Sequence, residues 1–272
     1  MKVSKVKGAF FSPTGTTKKI VVAVVQKIAE TLQVESELHD FTLPVRREQK
    51  LVFAAGEVVV FGMPVYAGRL PNLLLKYLQI IEGNGAFAIP IVLYGNRNYD
   101  DALVELCDIL YERELLPFAA AAFVGEHSFS TVLGQGRPDK EDMAIAEDFA
   151  RQTAAKLKDS ENIKIVQVKG TPKPYSGYYQ PRDGEGGPID MRKVKPLTNE
   201  HCNDCKLCVK VCPMEAIDFG KVGEVTGICI KCGACIKKCP QSAKYYEDIG
   251  YLFHKKDLEE KWTRRAVPEI FL

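Results

Sequence analysis

A chain of 272 residues with 37 Lys and Arg against 35 Asp and Glu carries a formal net charge of +2, a balance that argues neither for nucleic acid nor for a membrane surface as partner. Its 46% hydrophobic and 26% charged residues are ordinary for folded globular protein, and the length suggests two domains. The opening Met1-Lys-Val-Ser-Lys-Val-Lys leads into an apolar run that Pro13 ends, too short for a signal peptide, and no apolar stretch reaches a membrane span, Ile20–Val25 coming nearest.

In chain order, residues 3–11 read as a strand entering a core, Ser12-Pro-Thr-Gly-Thr-Thr17 as a turn, and Lys18 to Leu32 as a helix with apolar residues at Ile20, Val21, Val24, Val25, Ile28 and Leu32. A weaker strand is expected near Val34–Phe41, then irregular chain or a short helix to Ala55. Val58-Val-Val-Phe61 is the uninterrupted apolar run of a central parallel strand. After the loop Gly62–Gly68, Pro71 opens a helix predicted to run to about Ile81. Strand Ala86–Tyr94, loop Gly95–Asn98, helix Tyr99–Glu114, strand Phe118–Val124 and helix Pro138–Leu157 follow. Such alternation specifies an α/β fold, and five strands in this order fit the flavodoxin-like doubly wound parallel sheet, order 2-1-3-4-5. From Lys169 to Pro196 the composition shifts, with prolines at 172, 174, 181, 188 and 196 and tyrosines at 175, 178 and 179. That reads as a semi-rigid linker lying against something apolar.

Eight of the nine cysteines then fall in two runs, Cys202-x-x-Cys205-x-x-Cys208-x-x-x-Cys212-Pro and Cys229-x-x-Cys232-x-x-Cys235-x-x-x-Cys239-Pro, each member 27 positions after its counterpart. Ala216 and Ala243 keep the same offset, so this is an internal repeat. Two-residue gaps let one tight loop present three thiolates to a cubane iron–sulfur cluster, and the fourth comes from the other run. The expected sets are Cys202, Cys205, Cys208 and Cys239 for one [4Fe–4S] cluster, and Cys229, Cys232, Cys235 and Cys212 for the other. Zinc sites usually space C-x-x-C pairs by longer gaps, and a disulfide framework suits short secreted chains. Residues 194 to 248 resemble bacterial two-cluster ferredoxins, a small α+β fold. A charged tail with a short helical pattern and the only tryptophan, Trp262, follows. The expected division is 1–160, a linker over 161–193, the two-cluster unit over 194–250, and a tail over 251–272.

In an open parallel sheet, ligands sit at the carboxyl ends of the strands where the winding reverses. Three hydroxyls, a glycine and free backbone N–H groups at Ser12–Thr17 make a phosphate cradle, or else simply a capped helix start. This loop resembles the phosphate loop of flavodoxins, a likeness covering about residues 1 to 160. The resemblance implies FMN, its phosphate held by Ser12, Thr14, Gly15, Thr16 and Thr17. It places Pro64, Val65, Tyr66, Ala67 and Gly68 on one side of the ring and Gly95, Asn96, Arg97, Tyr99 and Asp101 on the other, with Tyr66 as stacking partner. The second loop has no tryptophan, and the acidic surface of many flavodoxins is missing. The whole chain, including Pro64–Pro71 and Tyr94–Asp101, resembles bacterial fusions of a flavodoxin-like domain to a two-cluster ferredoxin domain.

Gly83-Asn-Gly-Ala-Phe-Ala88 precedes a strand and is a turn, not a dinucleotide fingerprint. Cys107 has the apolar neighbours of a buried structural thiol, and His127 reads as a hydrogen-bonded loop residue. The resulting expectation is a cytoplasmic electron-transfer protein with FMN and two [4Fe–4S] clusters, at least one docked near Tyr66 and Tyr99. An FMN reductase of a small acceptor and a flavin-free docking domain are the alternatives. The redox partner protein, the direction of flow and the oligomeric state are not legible; no nucleic acid is expected.

Overall fold

Strands covered on both faces need continuous apolar runs, and the computed structural model, which describes residues 3–158 and 163–272, gathers such runs into one sheet. Strands β1 (Lys5–Phe10), β2 (Glu35–Asp40), β3 (Glu57–Pro64), β4 (Phe87–Tyr94), β5 (Leu116–Pro117) and β6 (Ala120–Val124) alternate with helices α1 (Thr16–Leu32), α2 (Leu75–Leu78), α3 (Ala102–Glu112) and α4 (Lys140–Lys158). The parallel order is β2-β1-β3-β4-β6, with β5 also paired to β4. This is the flavodoxin-like winding, and the reversal between β1 and β3 opens a crevice at their carboxyl ends. The division expected at 160/161 lies outside the described residues.

Helices α1 and α4 cover one face, where Ile20, Val24, Ile28 and Phe149 meet Val58, Val60, Ile89 and Phe123. Burying each such side chain contributes about 1.5–3 kcal/mol, against a helix-propensity penalty of at most about 0.7 kcal/mol for each β-branched residue of α1. The other face packs Leu103, Leu106 and Leu110 of α3 over Val59, Phe61 and Val92.

Two elements differ from expectation. The helix expected from Pro71 to Ile81 is a 3-10 turn followed by the short α2, because Glu82 is drawn into strand-like pairing. Its N–H donates to the Leu51 carbonyl at 3.0 Å and its carbonyl accepts from Phe53 at 2.8 Å. The strand expected over Phe118–Val124 begins at Ala120 as β6, and a separate short strand, β5, precedes it at Leu116–Pro117. Ala88 pairs with Pro117 but Ile91 with Ala121, so three steps on β4 face four on its neighbour. The bulge has a cause in Pro90. The Ala86 and Ala88 carbonyls point toward this edge, so Pro90, of the same parity, faces it without an N–H to give.

The linker lies on the sheet domain, as its tyrosines suggested. Arg69 is held by the buried Glu105, donates to the Ser176 carbonyl at 2.6 Å, and sits 4.5 Å from the Tyr175 ring centre. Tyr178 Oη donates to the Leu70 carbonyl at 2.9 Å, and the Asp101 carboxylate accepts from the Thr171 and Ser176 N–H groups, both at 2.8 Å.

The cysteine-rich unit carries β7 (Leu197–Thr198), α5 (Leu207–Lys210), α6 (Ala234–Lys237) and β8 (Lys244–Tyr245), with β7 antiparallel to β8. The tail then returns to the first domain. Helix α7 (Ile249–Lys261) starts where the Asp248 side chain caps the Tyr251 N–H at 2.8 Å, and β9 (Glu269–Phe271) joins the outer edge of β6, antiparallel. Asn96 fastens this return, with Nδ2 donating to the Trp262 and Arg264 carbonyls at 2.8 and 2.7 Å and Oδ1 accepting from the Ala266 N–H at 3.1 Å. Arg137, paired with Asp142 in the interior, donates to the Ala266 carbonyl at 2.5 Å. Among the described residues no helix is long and apolar enough to cross a membrane.

Asn96→Ala leaves two carbonyls and an N–H of the tail without their partner. The expected loss is on the order of 3 kcal/mol in urea unfolding, with early proteolytic release of the tail; a variant as stable as the parent would show that Asn96 does not hold β9.

Candidate functional site

The two cysteine runs fold alike. Helices α5 and α6 start after left-handed residues, Lys206 (φ 61°) and Gly233 (φ 73°), and left-handed Asp204 and Glu215 recur at the same offset as Lys231 and Ser242. The Ala216 N–H donates to Cys212 Sγ and the Ala243 N–H to Cys239 Sγ, both at 3.3 Å. N–H donors of this kind stabilise a thiolate that ligates a metal. The 27-residue repeat is therefore a repeat of backbone conformation.

Cys212, Cys229, Cys232 and Cys235 line one cavity, so the fourth cysteine of the first run joins the first three of the second. Burial pushes the Cys232 thiol up to about 12 and Cys235 beyond it. Buried thiolates need a cationic centre beside them, which a metal supplies. The Tyr246 hydroxyl, on the same cavity, is buried without a hydrogen-bond partner, a donor free for an acceptor inside. Among the described residues no three His, Cys, Asp or Glu side chains converge as a single ion requires. Thiols spread around a cavity suit a four-iron cubane with its own sulfides. The first run is more open, Cys205 being exposed and Cys202 and Cys208 half-buried.

Hydrogen bonds between the two units fall beside the cysteines that line this cavity, the inner ones. Arg47, at the end of a 3-10 turn (Pro44–Arg47) where irregular chain or a short helix is expected, donates through Nη2 to the carbonyl of Pro213, next to Cys212, at 2.6 Å. Lys237 of α6 pairs with Glu126 and donates to the Ser130 carbonyl at 2.9 Å. A Cβ at Gly233 would lie 2.5 Å from the Ser128 carbonyl oxygen. The repeat shows that dihedral angle alone does not demand glycine there, since Lys206 holds the same conformation with a side chain. The close approach of Ser128 demands it.

Cys232 also borders the crevice at the carboxyl ends of β1 and β3, together with Thr14, Thr16, Thr17, Pro64, Val65, Tyr66, Gly95 and His127. Ser12 Oγ accepts from the Lys18 N–H at 2.9 Å, and no side chain caps α1 at Gly15, which has φ 101° and open space where a Cβ would stand. The first turn of α1 thus keeps donors for an anion. Lys19 donates to the Pro138 carbonyl at 2.6 Å, and Lys18 lies 4.0 Å from Asp40, so both side chains are engaged outside the loop. The Thr17 side chain packs toward Gly62. Ala67 and Gly68 turn the second loop, with the Ala67 carbonyl accepting from the Tyr179 N–H at 2.8 Å and the Gly68 carbonyl from the Asp101 N–H at 3.0 Å. Three third-loop residues are engaged elsewhere: Asn96 holds the tail, Tyr99 donates to Glu269 of β9 at 3.1 Å, and Asp101 holds the linker; Arg97 pairs with Asp100 and lies over the Tyr179 ring.

His127 has a larger place here than a loop histidine. Its ring rests on Gly95, where a Cβ would lie 2.3 Å from Cδ2, and its Nδ1 accepts from the Phe129 N–H at 3.1 Å. Burial, then the charges of His254, Lys237 and Arg97, push it down to about 3. It is neutral at ordinary pH with the proton on Nε2, a donor at the crevice. Burial and then Cys232 and Cys229 hold the Tyr66 hydroxyl well above its usual range. Sequence reasoning missed Gly233, Lys237, Tyr246 and Arg47. Aligning the two halves of the repeat would have exposed Gly233 opposite Lys206, whereas the other three carry no local signal. Cys107, inside α3, is raised by burial, as expected of a structural thiol.

Residues 201–244 match the 4Fe-4S dicluster domain family. Among solved structures, a flavodoxin from the domain Archaea is 14% identical, with 57% of this chain and 99% of that one covered at a TM-score of 0.40. Oxidised Flavodoxin 2 from Bacillus cereus is 16% identical, with 57% and 99% covered and a TM-score of 0.40. The flavodiiron protein from Giardia intestinalis is 16% identical, with 59% and 38% covered and a TM-score of 0.36. Likeness at this level adds nothing to what the parallel strand order establishes. No curated protein sequence matches the chain.

Gly233→Ala should leave the iron content intact but loosen the two units, seen as faster hydrogen exchange at residues 126–130. Lys206→Ala, at the equivalent place in the other half, should not. Equal effects from the two would separate Gly233 from the interface.

Proposed function

We propose that this chain is an electron-transfer protein that carries electrons between two [4Fe–4S] clusters and an FMN. The observation that carries the reading is Cys232, which belongs to the inner thiol cavity and to the wall of the flavodoxin-like crevice at once. In this reading Cys212, Cys229, Cys232 and Cys235 hold the inner cluster, and Cys202, Cys205, Cys208 and Cys239 hold an outer one that meets the partner protein. The chain divides near residues 160 and 194, and the linker and tail act as straps instead of spacers.

FMN, when bound, exchanges one or two electrons, whereas each cluster exchanges one, so the pairing joins one-electron to two-electron chemistry. Gly15 and the first N–H groups of α1 would receive its phosphate, with Thr14 and Thr16 beside it. The crevice at this loop encloses only about 60 Å³. The ring therefore belongs in the wider cavity that shares Val65, Tyr66, His127 and Ser128 with it. Tyr66 lines both spaces, Cys229 borders the wider one and Cys232 the crevice, and His127 offers its Nε2–H there. Of the third-loop residues expected on the ring, Gly95 and Arg97 line these spaces, while Asn96, Tyr99 and Asp101 serve the tail and linker. The wide cavity also gives the reductase reading its specific support. A protein that retains no flavin after anaerobic purification would leave only the docking-domain reading.

Gly15→Asp sets a carboxylate where the phosphate would bind, so the variant should purify with both clusters and no flavin; undiminished FMN affinity would remove the loop from the site. Cys212→Ala, in a protein already lacking Cys202 and Cys205, should alter the remaining cluster's electron paramagnetic resonance signal, and an indifferent signal would reverse the crossed assignment. Rapid reduction of the clusters should be followed by flavin reduction at a rate independent of protein concentration. A rate proportional to concentration would point to exchange between molecules.

A further inference from the structure

An interior position of the repeat changes character between its halves. Lys244, on β8, stands 27 positions after Ile217, and both side chains are buried, with 3% and 5% exposed. Ile217 packs with Val222 and Cys235, and Cys202, Cys208 and Cys212 close on the same group. Lys244 reaches that group by its Nζ, which donates to the Val222 carbonyl. Tyr246, two positions on and so on the same side of the chain, lines the inner thiol cavity. The ammonium therefore ends among cysteines of both runs, with Cys208 of the first and Cys235 of the second within reach of its charge. A single carbonyl satisfies one of its three donors, and among the described residues no carboxylate pairs with it. A cation buried in this way is costly unless negative charge stands beside it.

A [4Fe–4S] cluster with its four thiolates carries net negative charge, and reduction adds to it. A cation fixed between two clusters lowers the cost of that added charge at both. Cys208 and Cys235 fall to different clusters however Cys212 and Cys239 are shared, so the crossed grouping is not needed. We propose that Lys244 is a counter-charge shared by the two clusters, one that raises the reduction potential of each. This role rests on the two-cluster unit and not on the flavin. One charge shared in this way moves both potentials together, whereas unequal exposure of the two runs sets them apart. The competing role is mechanical. Through the Val222 carbonyl, Lys244 would simply fasten the loop that the Ile217–Val225 bridge closes.

Redox titration of the anaerobically purified, cluster-loaded full chain, followed by electron paramagnetic resonance, separates the two roles. Lys244→Gln keeps a donor for the Val222 carbonyl and removes the charge. It should lower both midpoints by about 59 mV, a tenfold change in each one-electron equilibrium, at unchanged iron and sulfide content. Lys244→Arg keeps the charge and should stay near the parent. A Gln variant with parental midpoints, or with only one midpoint moved, would overturn the proposal. So would an Arg variant that falls as far as the Gln one. Loss of iron from the Gln variant alone would show the same need for charge, and loss from both would assign Lys244 to packing. Iron and sulfide assays on the parent report separately on the two-cluster reading, and a parent without two clusters would remove this role with it.

Discussion

The pairing of β9 with β6 is the constraint on which the arrangement depends. Without it the cysteine-rich unit would hang from one linker. With it the chain leaves the sheet, forms that unit and returns to the same sheet, so the unit is held at both ends. The return is expensive in entropy, since the paired residues Ala120 and Phe271 are far apart in sequence. Asn96 and Arg137 offset that cost by satisfying tail backbone groups from inside the sheet domain. The linker is fixed by the same logic, through Arg69, Asp101 and the carbonyl of Leu70.

Between these anchors, a repeat with equal local geometry is placed in unequal surroundings. The second run carries the links to Glu126, Ser128 and Ser130, and Pro213 at the end of the first run meets Arg47, while Cys205 of the first run faces solvent. Exposure, hydrogen bonds to sulfur and local charge are the levers by which protein sets cluster potentials. The backbone N–H to sulfur bonds are the same in both halves, so differences must come from burial and from neighbours such as Tyr246 and Lys231. The same packing that joins the units also buries the two halves unequally.

The parts legible in sequence were those written in local periodicity. Alternating apolar runs and helices specified the parallel sheet and its order, and the cysteine spacing specified the repeat, whose backbone conformation recurs at the same offset. Contacts made by distant short segments were not legible. Glu269-Ile-Phe271 is too short to show alternation, and its partner strand lies half a chain away. Because the tail was invisible as a strand, Asn96 and Tyr99 read as residues of a ring face when they are occupied holding it. Pro90 lies inside the expected strand Ala86–Tyr94, and only register shows that the neighbour answers it with a bulge. In the candidate site, Thr14, Thr16, Tyr66 and Gly95 come together as expected, and Cys232 and His127 complete the wall from elements that no local pattern connects.

The closed path of the chain ties metal uptake to folding of the sheet. The segment between α4 and β9 is a loop closed by the β6–β9 pairing, and four-cysteine ligation at two sites shrinks the conformational freedom of that loop before it closes. Loading with iron and sulfide therefore favours the edge strand, and by reciprocity an intact edge strand favours retention of iron and sulfide. Oxidative loss of the clusters would consequently expose the β6 edge, with unpaired backbone groups of the kind that recruit other chains. That edge belongs to the part of the chain that carries none of the eight cysteines of the repeat.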